Sequence, residues 1–511
     1  MADTVESAVM AVLQSGNSKY ADAGQIKEAS EKLYSFGLCA LCILRYIQLP
    51  IGPSYCVRSA DAIYKALGIE AKQDQKPDEE SLCVKPCPAC LGILDLTVAD
   101  HIVGQFKAED YDTMDALVGI ELPKSIYIRH RAVQIAGRQQ NIPSAAENVP
   151  EVKDVFRYLF TQQLSIVCDV KANATNDMRI DIAFSHPETA TEHQFLNIRK
   201  KEPASNSSDR KNGTFKASAD RSKTVVLSDL GACADDEFTK HSTCPPPAIE
   251  TAAKIDSLIF KRASLFIGGR YLKLERNISQ TPFVVEGRRM TELSVAEVIG
   301  EPLERLIRCD SYNLVGSGRE DADVRMLGDG RPFYIECINP RFKAVTKEQI
   351  QDIEDQLTSS NSPVQVRRLQ VIPAKDTSII KEGEEHKTKH YCALVWFSQP
   401  LNPDKLVEIN TLGKNGILLQ QKTPVRVLHR RAPLTRPKRL LNVELSHIED
   451  RFYKVRIESE AGAYIKEFVH GDLGRTTPSL ADLAGVTADI LELDVEGVSL
   501  DFPPTPKDTI V

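Results

Sequence analysis

Two groups of residues in this chain have types and spacings that could do chemistry. The first is cysteine. Of twelve in the chain, six fall between residues 39 and 90. Cys39 and Cys42 form one C-x2-C pair, and Cys87 and Cys90 form another. Each such turn offers two sulfurs to one ion, and four thiolates close a tetrahedral zinc site with no open position. The expectation is a structural zinc without chemistry at the metal, with Cys56 and Cys83 as further candidates. Buried free thiols are the plainer alternative, because cysteine is among the most buried residue types.

The second group is charge. The stretch "GSGREDADVRMLGDGRPFYIECINPRF", 316–342, sets Arg319, Glu320, Asp321, Asp323, Arg325, Asp329 and Arg331 between glycines and then becomes apolar. Exposed ion pairs give only about 0–1 kcal/mol each, so stability is a poor reason for them. A carboxylate held by cations in a cleft is a better one. Asp321 follows the sharply turning "GSGRE", and Arg319 two residues earlier would keep it ionised. An oriented carboxylate serves as a nucleophile or a base. Asp323 and Asp329 compete for that role, and an ordinary charged surface loop is the other reading.

Three further features stand beside these. "KTPVRVLHRRAPLTRPKRL", 422–440, carries Lys422, Arg426, Arg430, Arg431, Arg436, Lys438 and Arg439 with no acidic residue, which reads as a phosphate-binding strip or a solvated surface run. In "AYIKEFV" a strand would place Lys466 with Tyr464 and Phe468, and Glu467 on the opposite face. Tyr391, opening the strand-like "HYCALVWFS", could stack on a base, and as isolated residues both it and Lys466 are more often plain packing or surface positions.

The elements that must position these residues come next. At 511 residues the chain exceeds one ordinary core. Apolar content of 42% and charged content of 26% are those of a soluble globular protein. The net charge of -7 argues against an all-over basic coat but allows a local basic groove. The N-terminus has no basic n-region, and "LCALCILRYIQLPIG" is too short and too interrupted to span a bilayer. The expectation is an intracellular protein, in cytoplasm or nucleus, with reduced cysteines and no membrane contact.

Residues 1–36, "DAIYKALGI" and "VPEVKDVFRYLFTQQLS" have helical periodicity, while "SIYIRHRAVQIAG" and "MRIDIAFSHP" alternate like strands. Residues 196–224 read as a flexible insertion or a long surface loop. Beyond about residue 256 strands dominate: "RYLKLERNISQ", "PFYIECI", "HYCALVWFS", "GILLQQKTPVRVLHRR", "RFYKVRIESEAGAYIKEFVHGD" and "ILELDVEGVSLDF". Three helices carry start signals: Ser294 with Glu297, Thr346 with Gln349, and Ser479 with Asp482. The fold class expected is α+β. A zinc-containing α/β domain over 1–255 precedes a domain over 256–511 built on a mixed, mostly antiparallel sheet flanked by helices.

Taken together, "GRYLKLERNISQTPF", "GSGREDADVRMLGDGRPF", "INPRF", "VLHRR" and "GAYIKEFVHGDLGRTTPSL", in that order, resemble the pseudouridine synthases, and among them the Pus-ten type of tRNA pseudouridine synthase. The resemblance runs almost continuously through the second half. In the first half it rests on the paired cysteines and a THUMP-like module over about 95–250. It implies an enzyme that isomerises uridine to pseudouridine in the T-loop of tRNA, at position 54, 55 or both, with no catalytic cofactor and no partner needed to complete the site. Asp321 would be the catalytic aspartate, with Arg319, Tyr391 and Lys466 as its companions. Ile465 and either Leu480 or Leu483 would border the base. The basic residues Arg426, Arg430, Arg431, Arg436, Lys438 and Arg439 would meet tRNA phosphates, or those of another structured RNA. The chain departs from the wider pattern at Asp323, where glycine is usual, at Ala322, where valine is, and at Phe283, where tryptophan is common. An RNA-binding processing scaffold with little catalytic role is the rival expectation, and a monomer is expected in either case.

Overall fold

The computed structural model of the protein describes residues 2–14, 19–70, 85–145, 148–174, 177–196, 222–358, 362–429 and 431–504. Most of the expected insertion at 196–224, together with Cys83 and Arg430, lies outside the described residues. The chain forms two compact units, Met1–Lys261 and Arg262–Val511, where the sequence put the division at 255/256.

The first unit runs α1 (Ala2–Gln14), α2 (Ala23–Ser35), α3 (Ala40–Tyr46), α4 (Ala60–Ala66), α5 (Leu96–Glu109), β1 (Asp115–Glu121), α6 (Ser125–Gln139), α7 (Val152–Cys168), β2 (Lys171–Ala172), β3 (Met178–Ser185), α8 (Lys223–Gly231), α9 (Asp235–Phe238) and β4 (Lys254–Arg262). β1 pairs in parallel with β2 and with β3, and β4 lies beyond β3. Met178, Ile180, Ile182 and Phe184 are the buried alternate residues of β3. α7 faces the same core with Val155, Phe156, Leu159 and Phe160. One expectation fails here: "SIYIRHRAVQIAG" is helix α6, not a strand. Its alternation at Ile126–Ile128 is local, while Ile128, Ala132, Ile135 and Ala136 recur at helical spacing and are all buried.

The second unit runs β5 (Leu265–Lys273), β6 (Val284–Val285), β7 (Arg288–Arg289), α10 (Val295–Ile307), β8 (Ser311–Gly316), β9 (Arg325–Ile338), α11 (Lys347–Thr358), β10 (Val364–Ile372), α12 (Thr377–His386), β11 (Lys389–Phe397), α13 (Pro403–Lys414), β12 (Ile417–Lys422), β13 (Thr435–Glu449), β14 (Phe452–Ser459), α14 (Ile465–His470), β15 (Thr476–Thr477), α15 (Leu480–Ala484) and β16 (Ala488–Val498). Its ten-stranded sheet has the order β10-β5-β9-β16-β11-β14-β13-β12-β15, with β8 also on β9. The sheet is mixed and mostly antiparallel, as expected; β16 and β9 run parallel. The start signals hold. Ser294 accepts from the Glu297 N–H at 3.2 Å, Thr346 and Gln349 cap each other, and Ser479 and Asp482 form a full capping box. No helix among the described residues is long and apolar enough to cross a membrane.

Two segments expected as strands turn instead. β12 stops at Lys422 because Thr423 folds the chain back, donating its hydroxyl to Ala432 O at 2.7 Å, and Pro424 has no N–H for a ladder. Val425–Val427 is a single 3-10 turn. "YIKEFVH" is helix α14, since Ile465, Phe468 and Val469 are spaced i, i+3, i+4 and all three are buried.

α13 lies against β13, and at Gly413 any Cβ would collide with the Val443 carbonyl oxygen. Backbone on both sides leaves no flexible atom to yield. Gly413→Ala is therefore expected to destabilise the protein by about 2–3 kcal/mol, read from urea unfolding.

Candidate active site and metal centre

The charged stretch begins with the connection between β8 and β9, whose structure is set by a carboxylate other than Asp321. Glu320 is 5% exposed. It accepts from Arg331 Nε at 2.8 Å and from the Tyr271 hydroxyl at 3.0 Å, and Lys273 Nζ lies 3.9 Å away. These partners also hold the connection's backbone. Arg331 Nη1 donates to Ser317 O at 2.9 Å, and Gln280 Nε2 donates to Gly318 O at 2.9 Å and to the Tyr271 hydroxyl. Lys273 Nζ donates to Ile278 O at 2.8 Å, Asp321 O at 3.0 Å and Ala322 O at 3.3 Å. Lys273 has no solvent exposure, and burial pulls its pKa down to about 8 against the opposing pull of Glu320.

So anchored, Asp321 turns its side chain outward, 42% exposed. Arg426 Nη1 donates to its Oδ2 at 3.0 Å, and Lys466 Nζ stands 3.4 Å from the same oxygen. Arg426 is aimed by Glu467, a carboxylate of 2% exposure that accepts from its Nε at 2.7 Å. Lys466 is shared, lying 2.7 Å from Asp323 Oδ2. Burial would raise the Asp323 pKa, but the Lys466 ammonium outweighs it and the carboxyl sits below its ordinary value.

Tyr391 is half-buried on β11, opposite Ile457 and Val495. Burial raises its pKa, with Arg331 opposing, so the phenol is neutral at physiological pH. The arrangement is an accessible carboxylate fixed in direction by two cations, above a buried ionic cluster and in the same unit as a neutral phenol. It can attack an electrophilic carbon or remove a proton from one.

In the first unit the Sγ atoms of Cys39, Cys42, Cys87 and Cys90 all lie within 4.8 Å of one another, and all four residues are buried. Cys39 Sγ and Cys90 Sγ are 3.8 Å apart. A tetrahedron of 2.3 Å zinc–sulfur bonds has edges of about 3.8 Å, so the four thiolates fit zinc. The Cys39 N–H donates to Cys87 Sγ at 3.3 Å and Arg45 Nη1 to Cys42 Sγ at 3.3 Å, the supporting bonds that thiolate ligands accept. Cys56 is exposed and outside the cluster.

Both parts of the chain match models of one family: "Pus10, C-terminal" over residues 266–499, and "Eukaryotic Pus10, N-terminal" over 87–258. A mouse protein named tRNA pseudouridine synthase Pus10 is 32% identical over 86% of this chain and 84% of its own length. The chain belongs to the Pus10 family. It is thereby an enzyme of the isomerase class. Pus10 of Xenopus laevis is 29% identical over 94% of this chain and 98% of its own, and Pus10 of Archaeoglobus fulgidus is 41% identical over 46% and 67%. The crystal structure of a Cbf5-Nop10-Gar1 complex aligns with a TM-score of 0.26 at 18% identity, over 45% of this chain and 48% of that one, too slight a likeness to carry an argument.

Among the residues singled out in the sequence, Asp321 and Lys466 meet, while Arg319 is exposed and the pairing expected of it is made by Arg426 instead. Lys466 reaches the aspartate from a helix, not from a strand. Ile465 and Leu480 are buried in the core cluster of the unit, and Leu483 is partly buried against it. The basic stretch is not one patch. Arg431 donates to the Tyr464 hydroxyl at 2.9 Å. Arg436 and Lys438 lie on one face of β13 opposite Gln421 and Leu419, Lys438 donates to Ala461 O, and Arg439 lies on the other face opposite Leu418. The sequence reading missed Glu467 as the anchor of Arg426, and Lys273 and Glu320 as the loop's clamp. Tyr271 and Lys273, two apart on a strand and on one face, were the available signal.

Two measurements follow. Purified protein should carry about one zinc ion per chain, and its removal by a chelator, or Cys87→Ser, should unfold the first unit. Lys273→Met takes the donor from the Ile278 carbonyl and the ammonium from beside buried Glu320, while Asp321 O and Ala322 O keep backbone donors, and it should lower stability by about 2–4 kcal/mol in urea unfolding. The lysine binds fewer protons folded than unfolded between its folded pKa of about 8 and its ordinary 10.5. Across that window its contribution makes wild type gain stability as pH rises, and Lys273→Met should lose this component.

Proposed function

We propose that this chain isomerises uridine to pseudouridine in the T-loop of tRNA, at position 54, 55 or both, with Asp321 as the catalytic aspartate. One observation supports this most: the Asp321 carboxylate is half-exposed, fixed by Arg426 at 3.0 Å and Lys466 at 3.4 Å, on a loop clamped from beneath. Membership of a family whose curated members are named tRNA pseudouridine synthases supports the substrate.

The reaction breaks the N-glycosidic bond of a uridine, turns the base and rejoins it through carbon. In this reading Asp321 attacks the anomeric carbon of the ribose or removes the proton beside it, and the two cations hold the carboxylate aimed. Tyr391 stacks on the turned-out uracil and takes part in moving the carbon-bound proton. Ile465 with Leu480 or Leu483 closes the apolar side, Ile465 and Leu480 from within the core and Leu483 from its edge. Arg319, exposed beside the aspartate, is left to meet substrate rather than to orient Asp321. Arg431, Arg436, Lys438 and Arg439, with Arg430 outside the described residues, contribute phosphate contacts that offset the few kcal/mol of unstacking. The first unit, read as THUMP-like, would bind elsewhere on the folded tRNA, with recognition mainly by shape. The reading needs one copy of the chain, no catalytic cofactor and no membrane, and it fits cytoplasm or nucleus.

The test is pseudouridine mapping on an unmodified tRNA transcript. Wild type should form pseudouridine in the T-loop. Asp321→Asn should form none and bind tRNA within a few-fold of wild type. Loss of binding together with activity would make Asp321 structural. Tight binding without pseudouridine from wild type would favour a processing scaffold.

A further inference from the structure

α14, which carries Lys466 and Glu467, ends in an unusual turn. Gly471, Asp472, Leu473 and Gly474 have φ of 82°, 46°, 56° and 81°, four left-handed residues in succession. Glycine takes this conformation freely, whereas a branched apolar side chain is strained by contact between its Cβ and the backbone. Leu473 is also 94% exposed, more than any other exposed large apolar side chain among the described residues. Strain and exposure both disfavour leucine here, and glycine or asparagine would relieve both. Held strain of this kind is a reason to look for function.

The turn is fastened to the site. The Asp472 carboxylate accepts from the Val425 N–H at 3.2 Å, and Arg475 donates to Thr423 O at 2.7 Å. Val425 is the neighbour of Arg426, which holds Asp321. At the other end, the Asp472 N–H donates to His470 Nδ1 at 3.0 Å. An apolar tip thus projects into solvent on a turn tied through Val425 to the same short segment whose Arg426 holds the carboxylate, and too well tied to fold away.

We propose that Leu473 is a wedge that enters the base stack of the bound RNA beside the uridine being turned out, and holds the gap open while Asp321 reacts. Apolar side chains inserted between base steps unstack them in this way. The inference rests on the tRNA-uridine reading above and adds the residue that would keep the stack from closing.

The test uses the full chain and a tRNA transcript with 2-aminopurine next to the uridine that mapping identifies. In an Asp321→Asn background, binding should raise the 2-aminopurine fluorescence. Adding Leu473→Gly should abolish that rise while the Kd stays within a few-fold. In the active enzyme, Leu473→Gly should lower the single-turnover rate at saturating enzyme by roughly tenfold or more. Leu473→Met, which keeps an apolar tip, should restore it. The Tm of Leu473→Gly should equal or exceed that of wild type, since glycine relieves the strain, so the loss is not one of folding. An unchanged rate and fluorescence in Leu473→Gly would overturn the wedge, as would a loss confined to affinity. Absence of pseudouridine from wild type would overturn the activity reading, and the wedge with it, before any Leu473 variant is measured.

Discussion

The Glu320 carboxylate is the constraint on which the second unit's site depends. It is buried, and it lies in contact range of a guanidinium, an ammonium and a phenol that are themselves almost wholly buried. Four charged or polar groups withdrawn from water at one place stabilise little on balance, because desolvation consumes most of what their attraction returns. What they supply is definition. Arg331, Gln280 and Lys273 have donors beyond those turned toward Glu320 and Tyr271, and those donors go to the carbonyls of residues 317, 318, 321 and 322. A loop that would otherwise be a run of small residues and surface charge is held at four points along its backbone.

Above this cluster the logic reverses. Asp321, Arg426 and Lys466 are partly open to solvent, where ion pairs contribute little to stability and are easily exchanged. Such pairs give the carboxylate a direction without locking it away. The anchoring of Arg426 by buried Glu467 turns one flexible side chain into a fixed one. Fixed polar groups at an open mouth are what electrostatic preorganisation requires.

Much of this was legible in the sequence, and the boundary is physical. The paired cysteines were readable because metal ligation needs a fixed local spacing. The capping residues at 294, 346 and 479 were readable because they act within one turn. The strands around Phe333, Ala393 and Val455 were readable from β-branched and aromatic runs. α6 and α14 were misread because a short apolar run satisfies two periods at once, and only the partners across the core decide. The orientation of Asp321 was assigned to Arg319, its neighbour in sequence, and, through the family resemblance, to Lys466. Lys466 meets the carboxylate, but Arg426 stands where Arg319 was expected, and no local pattern announces so distant a partner.

That distance has a consequence for how the protein comes to be functional. The Arg426–Asp321 pair closes a span of 105 residues and the Lys466–Asp323 pair one of 143. Contacts so remote in sequence form late, after the intervening strands have docked. The aspartate loop leaves the β8–β9 ribbon, while its cations arrive from beyond β12 and β14. A nascent or partly unfolded chain therefore carries Asp321 without its cations. The arrangement of Asp321, Arg426 and Lys466 is an emergent property of the closed sheet, absent from every fragment shorter than the span that binds it.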